Sequence, residues 1–196
     1  MARIHINPLA ALENLGILLN RRFPPGPTPE GGPRPRKRSV MDDASVRLYF
    51  AGPLFSEAER RFNLRLAERL ERAGITVFLP QRDGAENDRD PDRVMSEERR
   101  QATFDLDRNQ VLGSDVFLYV LDGRVPDEGA AFELGLAYAD KMLRTTNRLI
   151  VGLHTDSRAA FLSSRLNLML DRAFDFIASS EVEVCDFIQE WGKNRS

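Results

Sequence analysis

The chain has 196 residues, 42% hydrophobic and 30% charged, with 28 Lys and Arg against 30 Asp and Glu. At about 150 residues per domain this points to one compact core, and the composition excludes a fibre or a wholly disordered chain. The net charge of −2 argues against a nucleic-acid scaffold, the lone Cys185 has no partner for an internal disulfide, and His5 and His154 make no zinc-ligand cluster, so a reducing cytoplasm and no structural metal are expected.

Residues 1 to 19 have an apolar flavour, but Pro8, Glu13 and Asn14 interrupt it. Apart from Arg3, basic residues follow the apolar run rather than precede it, unlike a secretory signal. Residues 20 to 40 hold 6 of the 11 prolines, 3 glycines and 6 basic residues, a composition that cannot bury enough apolar surface to offset ordering entropy, and they read as a disordered linker. The first 44 residues carry 7 basic and 4 acidic side chains, a net of +3, which leaves −5 on the remaining 152. Met41 opens MDDASVRLYFAGPLF, which leads straight into patterned sequence, so a start at Met41 with no function upstream stands beside a basic-tail reading. The expected division is a 1–44 extension and a single 45–196 domain. No stretch approaches the roughly 18 uninterrupted apolar residues needed to span a bilayer, so a soluble protein without a membrane partner is expected.

From Arg47 onward, short apolar runs alternate with amphipathic segments. The strand-like runs are 47–51, 75–79, 116–121, 148–153 and, less clearly, 174–177. Five such runs separated by helices predict a parallel sheet covered on both faces. Ser56 and Glu59 have capping-box spacing, Ala58, Phe62, Leu66 and Leu70 recur every fourth residue, and Gly74 stands where a C-terminal cap belongs, which predicts a first helix between them. Asp90 before Pro91 predicts a second helix start, and Ser180 with Glu183 predicts a last helix over 181–191 with Cys185 in its core.

In open parallel sheets ligands bind beyond the carboxyl ends of the strands. The loops there read AGPLFS at 51–56, PQRDG at 80–84 and DGRVPDEG at 122–129. The sequence carries no phosphate loop, dinucleotide fingerprint or Ser-His-Asp set, so carboxylates must carry any chemistry. Glu133 is the most informative, because from Gly129 to Ala139 every other residue is apolar or small, which predicts a helix buried nearly all round. An unpaired buried carboxylate is costly, so Glu133 either sits poised in a cavity or points to solvent through the one gap; its place near the helix N-terminus favours the ionised, nucleophilic form. Asp127 reads equally as an N-cap or a ligand contact. Asp107, on a helix leading to the central strand, reads on its own as a solvated acid.

LYFAGPLFS at 48–56, FLPQRDG at 78–84, Asp107 four residues before Val111, DEGAAFELGLA at 127–137 and NLM at 167–169 resemble, in the same order, the motifs of the nucleoside 2-deoxyribosyltransferase family. The resemblance implies a flavodoxin-like fold and transfer of 2-deoxyribose between nucleobases with no cofactor. It implies that Glu133 is the nucleophile and Tyr49 the phenol that holds it. By the same resemblance Gln81 and Asp107 face the base, Asp107 also being the candidate acid for the departing base. Asp127 binds a deoxyribose hydroxyl, and Gly52 and Phe55 belong to the substrate pocket. Counterparts of Asn167 and Met169 reach a neighbour's pocket, which implies a homo-oligomer, a dimer or trimer of dimers, with shared sites. Two departures are visible: Leu54 stands where some members have an aromatic, and the chain ends WGKNRS without the terminal tyrosine of others.

The implied mechanism is double displacement through a glutamyl-deoxyribosyl intermediate. Two alternatives stand beside it. One is a hydrolase of the same superfamily acting on deoxynucleoside 5′-monophosphates, its phosphate at Ser56, Arg60 and Arg61. The other is a non-catalytic nucleoside-binding module.

Overall fold

The computed structural model describes residues 45–84, 95–156 and 166–195. The chain divides into two units, Met1–Ser39 and Val40–Ser196, and the first lies outside the described residues, as does the expected helix start at Asp90 and Pro91. Within the second, β1 (Arg47–Ala51), β2 (Thr76–Phe78), β3 (Val116–Val120), β4 (Leu149–Leu153) and β5 (Phe176–Ala178) form one sheet, all parallel, in the order β2-β1-β3-β4-β5. Among the described residues the helices are α1 (Glu57–Arg72), α2 (Pro80–Asp83), α3 (Glu97–Gly113), α4 (Glu128–Arg144), α5 (Leu168–Asp171) and α6 (Glu181–Lys193). This is the flavodoxin-like strand order, as expected.

Successive side chains in a strand point to opposite faces, and here that alternation separates two cores. Leu48, Phe50, Val116, Leu118, Val120, Leu149, Val151 and Leu153 point to one face, under Leu66, Ala67 and Leu70 of α1 and Val184, Cys185 and Ile188 of α6. Tyr49, Ala51, Phe117, Tyr119 and Ile150 point to the other, under Val111 of α3 and Ala130, Leu134 and Ala137 of α4. The connection after β1 therefore leaves for one face and that after β3 for the opposite face. A crevice opens between them at the carboxyl ends of two adjacent strands.

The caps explain where the helices start. Ser56 and Glu59 form the expected reciprocal box on α1, and Gly74, just past its end, has φ +86 and donates its N–H to the Glu71 carbonyl. Ser180 accepts from the Glu183 N–H at the start of α6, but the Glu183 carboxylate reaches past Ser180 to the N–H and hydroxyl of Ser179. Ser96 caps α3, its hydroxyl accepting from the Arg99 N–H.

Three expectations are corrected. The buried stripe of α1 is Asn63, Leu66, Ala67 and Leu70, rotated from the Ala58–Phe62–Leu66–Leu70 row, because the sheet meets the helix on the side that carries Asn63. The last strand begins at Phe176: Asp175 before it accepts from the Ile150 N–H through its side chain. α4 is not buried all round. Only Ala130, Leu134, Ala137 and Asp140 are buried, while Phe132, Tyr138, Met142 and Leu143 form an exposed apolar outer face, since one chain supplies a sheet to cover one side of this helix only.

One polar cluster stands inside. Arg148 is buried and donates to the carbonyls of Ser114, Ala137 and Leu112 while pairing with Asp140, so the ends of α3 and α4 are joined at the start of β4. Burial pushes the Arg148 guanidinium below its ordinary value, against Asp140 and Asp115, which favour its charge.

Candidate active site

The crevice at the ends of β1 and β3 holds a pocket of about 110 Å³ lined by Gly52, Leu54, Phe55, Pro80, Asp107, Asp127 and Glu133, among others. Each lining residue arrives for a local reason. Gly52 turns the chain out of β1 with φ +150, and a Cβ there would stand 3.0 Å from Val120 Cβ and 3.2 Å from its carbonyl, so β1 and β3 run this close only with glycine. Asp127 caps α4, its Oδ1 accepting from the Ala130 N–H at 2.8 Å. Glu133 lies one turn past Ala130 on the sheet-facing side of α4.

The Tyr49 hydroxyl donates to Glu133 Oε1 at 2.6 Å. Tyr49 is fully buried, its ring stacked between Phe78 at 5.6 Å and Phe117 at 5.8 Å, centroid to centroid. The phenol is thereby aimed by three neighbouring strands. A second tyrosine, which sequence reasoning missed, does similar work: the Tyr119 hydroxyl donates to the Asp127 carbonyl at 2.6 Å and so ties the N-terminus of α4 to β3. Burial, with the nearby carboxylates of Asp127, Glu133 and Glu128, pushes the Tyr119 phenol far above its ordinary value, and it stays a donor. The available signal was a phenol in each of two otherwise apolar strands, both on the same sheet face.

Asp107, which reads alone as a solvated helix acid, lines the same pocket from α3. Phe55 lines it while 68% exposed, at the mouth. Gln81 follows the lining residue Pro80 but is not itself in the lining: its amide donates to the Arg60 carbonyl at 2.8 Å and accepts from Asn63 at 3.1 Å. Asn167 and Met169 stay outside this pocket; Asn167 caps α5 by accepting from the Met169 N–H, and Met169 is 80% exposed.

The N-terminus of α1 follows the same loop and carries its own anion. The Glu59 carboxylate accepts from the N–H groups of Phe55 at 2.9 Å and Ser56 at 2.7 Å. The bond from the Ser56 N–H, aided by the Ser56 hydroxyl, the Phe55 N–H and Arg60, outweighs burial and holds the Glu59 carboxyl below its usual range. Arg60 donates to the Leu54 and Phe55 carbonyls, and Arg61 pairs with Glu57.

A larger cavity, about 420 Å³, runs along the β2 edge beneath α3, lined by Arg47, Thr76, Phe78, Arg82, Asp83 and Asn109, among others. Its charged groups are engaged in ion pairs, Arg47 with Asp115 and Arg82 with Glu71 and Asp83. The carboxylates of Asp107, Asp127 and Glu133 converge on the smaller pocket instead. Among the described residues no group of His, Cys, Asp and Glu could hold a metal ion.

The nucleoside 2-deoxyribosyltransferase family model matches residues 48–181. The chain belongs to this family. Among solved structures, a conserved protein from Enterococcus faecalis V583 is 30% identical, with a TM-score of 0.58, over 78% of this chain and 100% of that one. A 2-deoxyribosyltransferase from the psychrotolerant bacterium Bacillus psychrosaccharolyticus is 21% identical, with a TM-score of 0.57, over 72% of this chain and 91% of that one, a likeness that shows the shared fold. A comparison with curated proteins finds no match. No helix among the described residues is long and apolar enough to cross a membrane.

Proposed function

We propose that this protein transfers 2-deoxyribose between nucleobases through a covalent intermediate on Glu133. The observation that carries the reading is the Tyr49–Glu133 hydrogen bond in a pocket that also holds Asp107 and Asp127. A carboxylate fixed by one phenol presents a defined face to C1′ of a deoxynucleoside, and its attack displaces the base with inversion. Asp107, in its acid form, protonates the departing base; as carboxylate it then takes the proton from the incoming base, whose attack on C1′ restores the configuration and frees Glu133. Asp127 uses Oδ1 in the cap, which leaves Oδ2 to accept from a sugar hydroxyl.

A neutral nucleoside suits this site better than a 5′-monophosphate. The Glu59 carboxylate already sits on the N–H groups of Phe55 and Ser56 just before α1, and a second anion there would meet it. The pocket also argues for a second copy of the chain. Small-molecule sites are typically about 300 Å³ or more, whereas this one offers about 110 Å³. The exposed outer face of α4, with Leu168 and Met169 of α5, gives a neighbour apolar surface to cover, and Asn167 and Met169 would then complete the neighbour's site.

The test is to incubate the protein with a deoxynucleoside, and separately its 5′-monophosphate, with and without a second free base. Formation of the exchanged deoxynucleoside is expected. Release of free base at the same rate without an acceptor would replace transfer with hydrolysis. Glu133→Ala should abolish exchange with the fold intact, whereas activity within about tenfold of wild type, a loss of about 1.4 kcal/mol in transition-state stabilisation, would remove the nucleophile assignment. Glu133→Gln keeps the shape and should be equally inactive.

A further inference from the structure

Asn63 is 2% exposed, in the stripe of α1 otherwise made of Leu66, Ala67 and Leu70. An apolar residue there would suit the core, and an amide is stable there only with its polar atoms paired. Asn63 Nδ2 donates to the Pro53 carbonyl at 2.9 Å and to Gln81 Oε1 at 3.1 Å. Gln81 Nε2 in turn donates to the Arg60 carbonyl at 2.8 Å. Backbone carbonyls only accept, so Pro53 fixes which end of Asn63 is nitrogen, and Arg60 does the same for Gln81. The two amides therefore have one consistent orientation. Arg60, on the same helix, also grips the Leu54 and Phe55 carbonyls.

These bonds hold both walls of one side of the pocket. One wall is the segment Gly52, Leu54 and Phe55 after β1; the other is Pro80, which precedes Gln81. Neither Asn63 nor Gln81 lines the pocket, so Asn63 acts through its neighbours. Glu133 and Asp127 stand on α4, on the opposite face of the sheet, and do not depend on this latch for their position.

We propose that Asn63 is a positioning residue that sets the gap between the β1–α1 loop and α2, and thereby substrate binding rather than the chemical step. The proposal rests on the nucleoside reading for the identity of the ligand. Removing the latch lets the walls separate while the carboxylates stay in place, so KM rises and kcat holds.

Asn63→Leu fills the same space without donors, and Asn63→Asp keeps the shape but turns a donor into an acceptor facing two oxygens. In the full-length protein both should raise KM for the deoxynucleoside by about tenfold or more while kcat stays within about threefold. Acidic buffer should recover part of the KM of Asn63→Asp, whose neutral acid can again donate, and none of that of Asn63→Leu. If Asn63→Leu melts below the assay temperature, Asn63→Ser, which keeps one donor, carries the comparison. Equilibrium dialysis of deoxynucleoside against the wild type and each variant gives the same result without turnover: binding should weaken by the factor seen in KM. A fall in kcat with KM unchanged, or unchanged binding in Asn63→Leu, overturns the proposal, and so does a wild type that binds no deoxynucleoside. A wild type that binds but neither exchanges nor hydrolyses overturns the transferase reading alone, and dialysis still decides the role of Asn63.

Discussion

Tyr49 shows how a single hydroxyl can matter without supporting the fold. Its ring is held by stacking on Phe78 and Phe117, so Tyr49→Phe retains those contacts and the buried area. The hydrogen bond to the Glu133 carboxylate is lost, a bond worth about 1.5–3 kcal/mol. The expected outcome is a melting temperature close to wild type with kcat/KM lower by about tenfold to a hundredfold, read by steady-state exchange kinetics. A variant that melts early and retains its specific activity would instead make the phenol a packing element.

At the scale of elements, the turn from β1 into α1 is where geometry is least forgiving. Gly52 combines φ +150 with a would-be Cβ 3.0 Å from Val120, so Gly52→Ala both strains the backbone and pushes β1 from β3. Strain of this kind costs about 1–3 kcal/mol. Thermal or urea denaturation should show a loss in that range, and activity should fall as well, because Leu54 and Phe55 on the pocket wall are carried by the same turn. Wild-type stability in the variant would mean the strands relax at no cost. The α1 N-cap behaves differently: an anion is built in, as Glu59 on the N–H groups of Phe55 and Ser56.

Two expectations belong to the whole molecule. Asp115 accepts from the Arg47 N–H and guanidinium at the start of β1 and from Arg195 beyond α6, joining the two ends of the domain. Burial alone would raise its carboxyl; the bonds from Arg195 and Arg47 outweigh it and hold the carboxyl below the ordinary 3.8. A carboxyl depressed in the folded state contributes stability above the unfolded value, and that contribution is lost as pH falls from 3.8 through the folded value. Asp115→Asn should therefore lower the melting temperature at neutral pH and flatten its decline in acid, as calorimetry across pH 2 to 7, on the order of the carboxylate range, would read. The second concerns assembly. If Asn167 completes a partner's pocket across a two-fold axis, mixing Glu133→Ala and Asn167→Ala chains by co-expression makes about half the dimers mixed, each with one intact site, and roughly a quarter of all sites regain activity. No recovery in a verified mixed dimer of two impaired parents would assign Asn167 to its own chain or to no site.

Much of this architecture is legible in residue order because its causes are local. Apolar runs of strand length between amphipathic segments specify a parallel sheet, Ser56 with Glu59 marks a helix start, and the acidic residue within the small-residue run at 129–139 singles out Glu133. The motif order carries the family. What the sequence could not decide is which groups meet. Tyr49 and Glu133 are 84 residues apart and touch only because β1 and β3 are neighbours beneath α4. Asn63 is drawn into the core because the sheet presses on that side of α1, and the outer face of α4 looks like core until one chain proves to cover only the inner one. Periodicity determines that a helix has an apolar face; the angle at which it lies on the sheet, set by packing across long stretches of chain, determines which residues that face buries and which polar groups it brings within bonding distance.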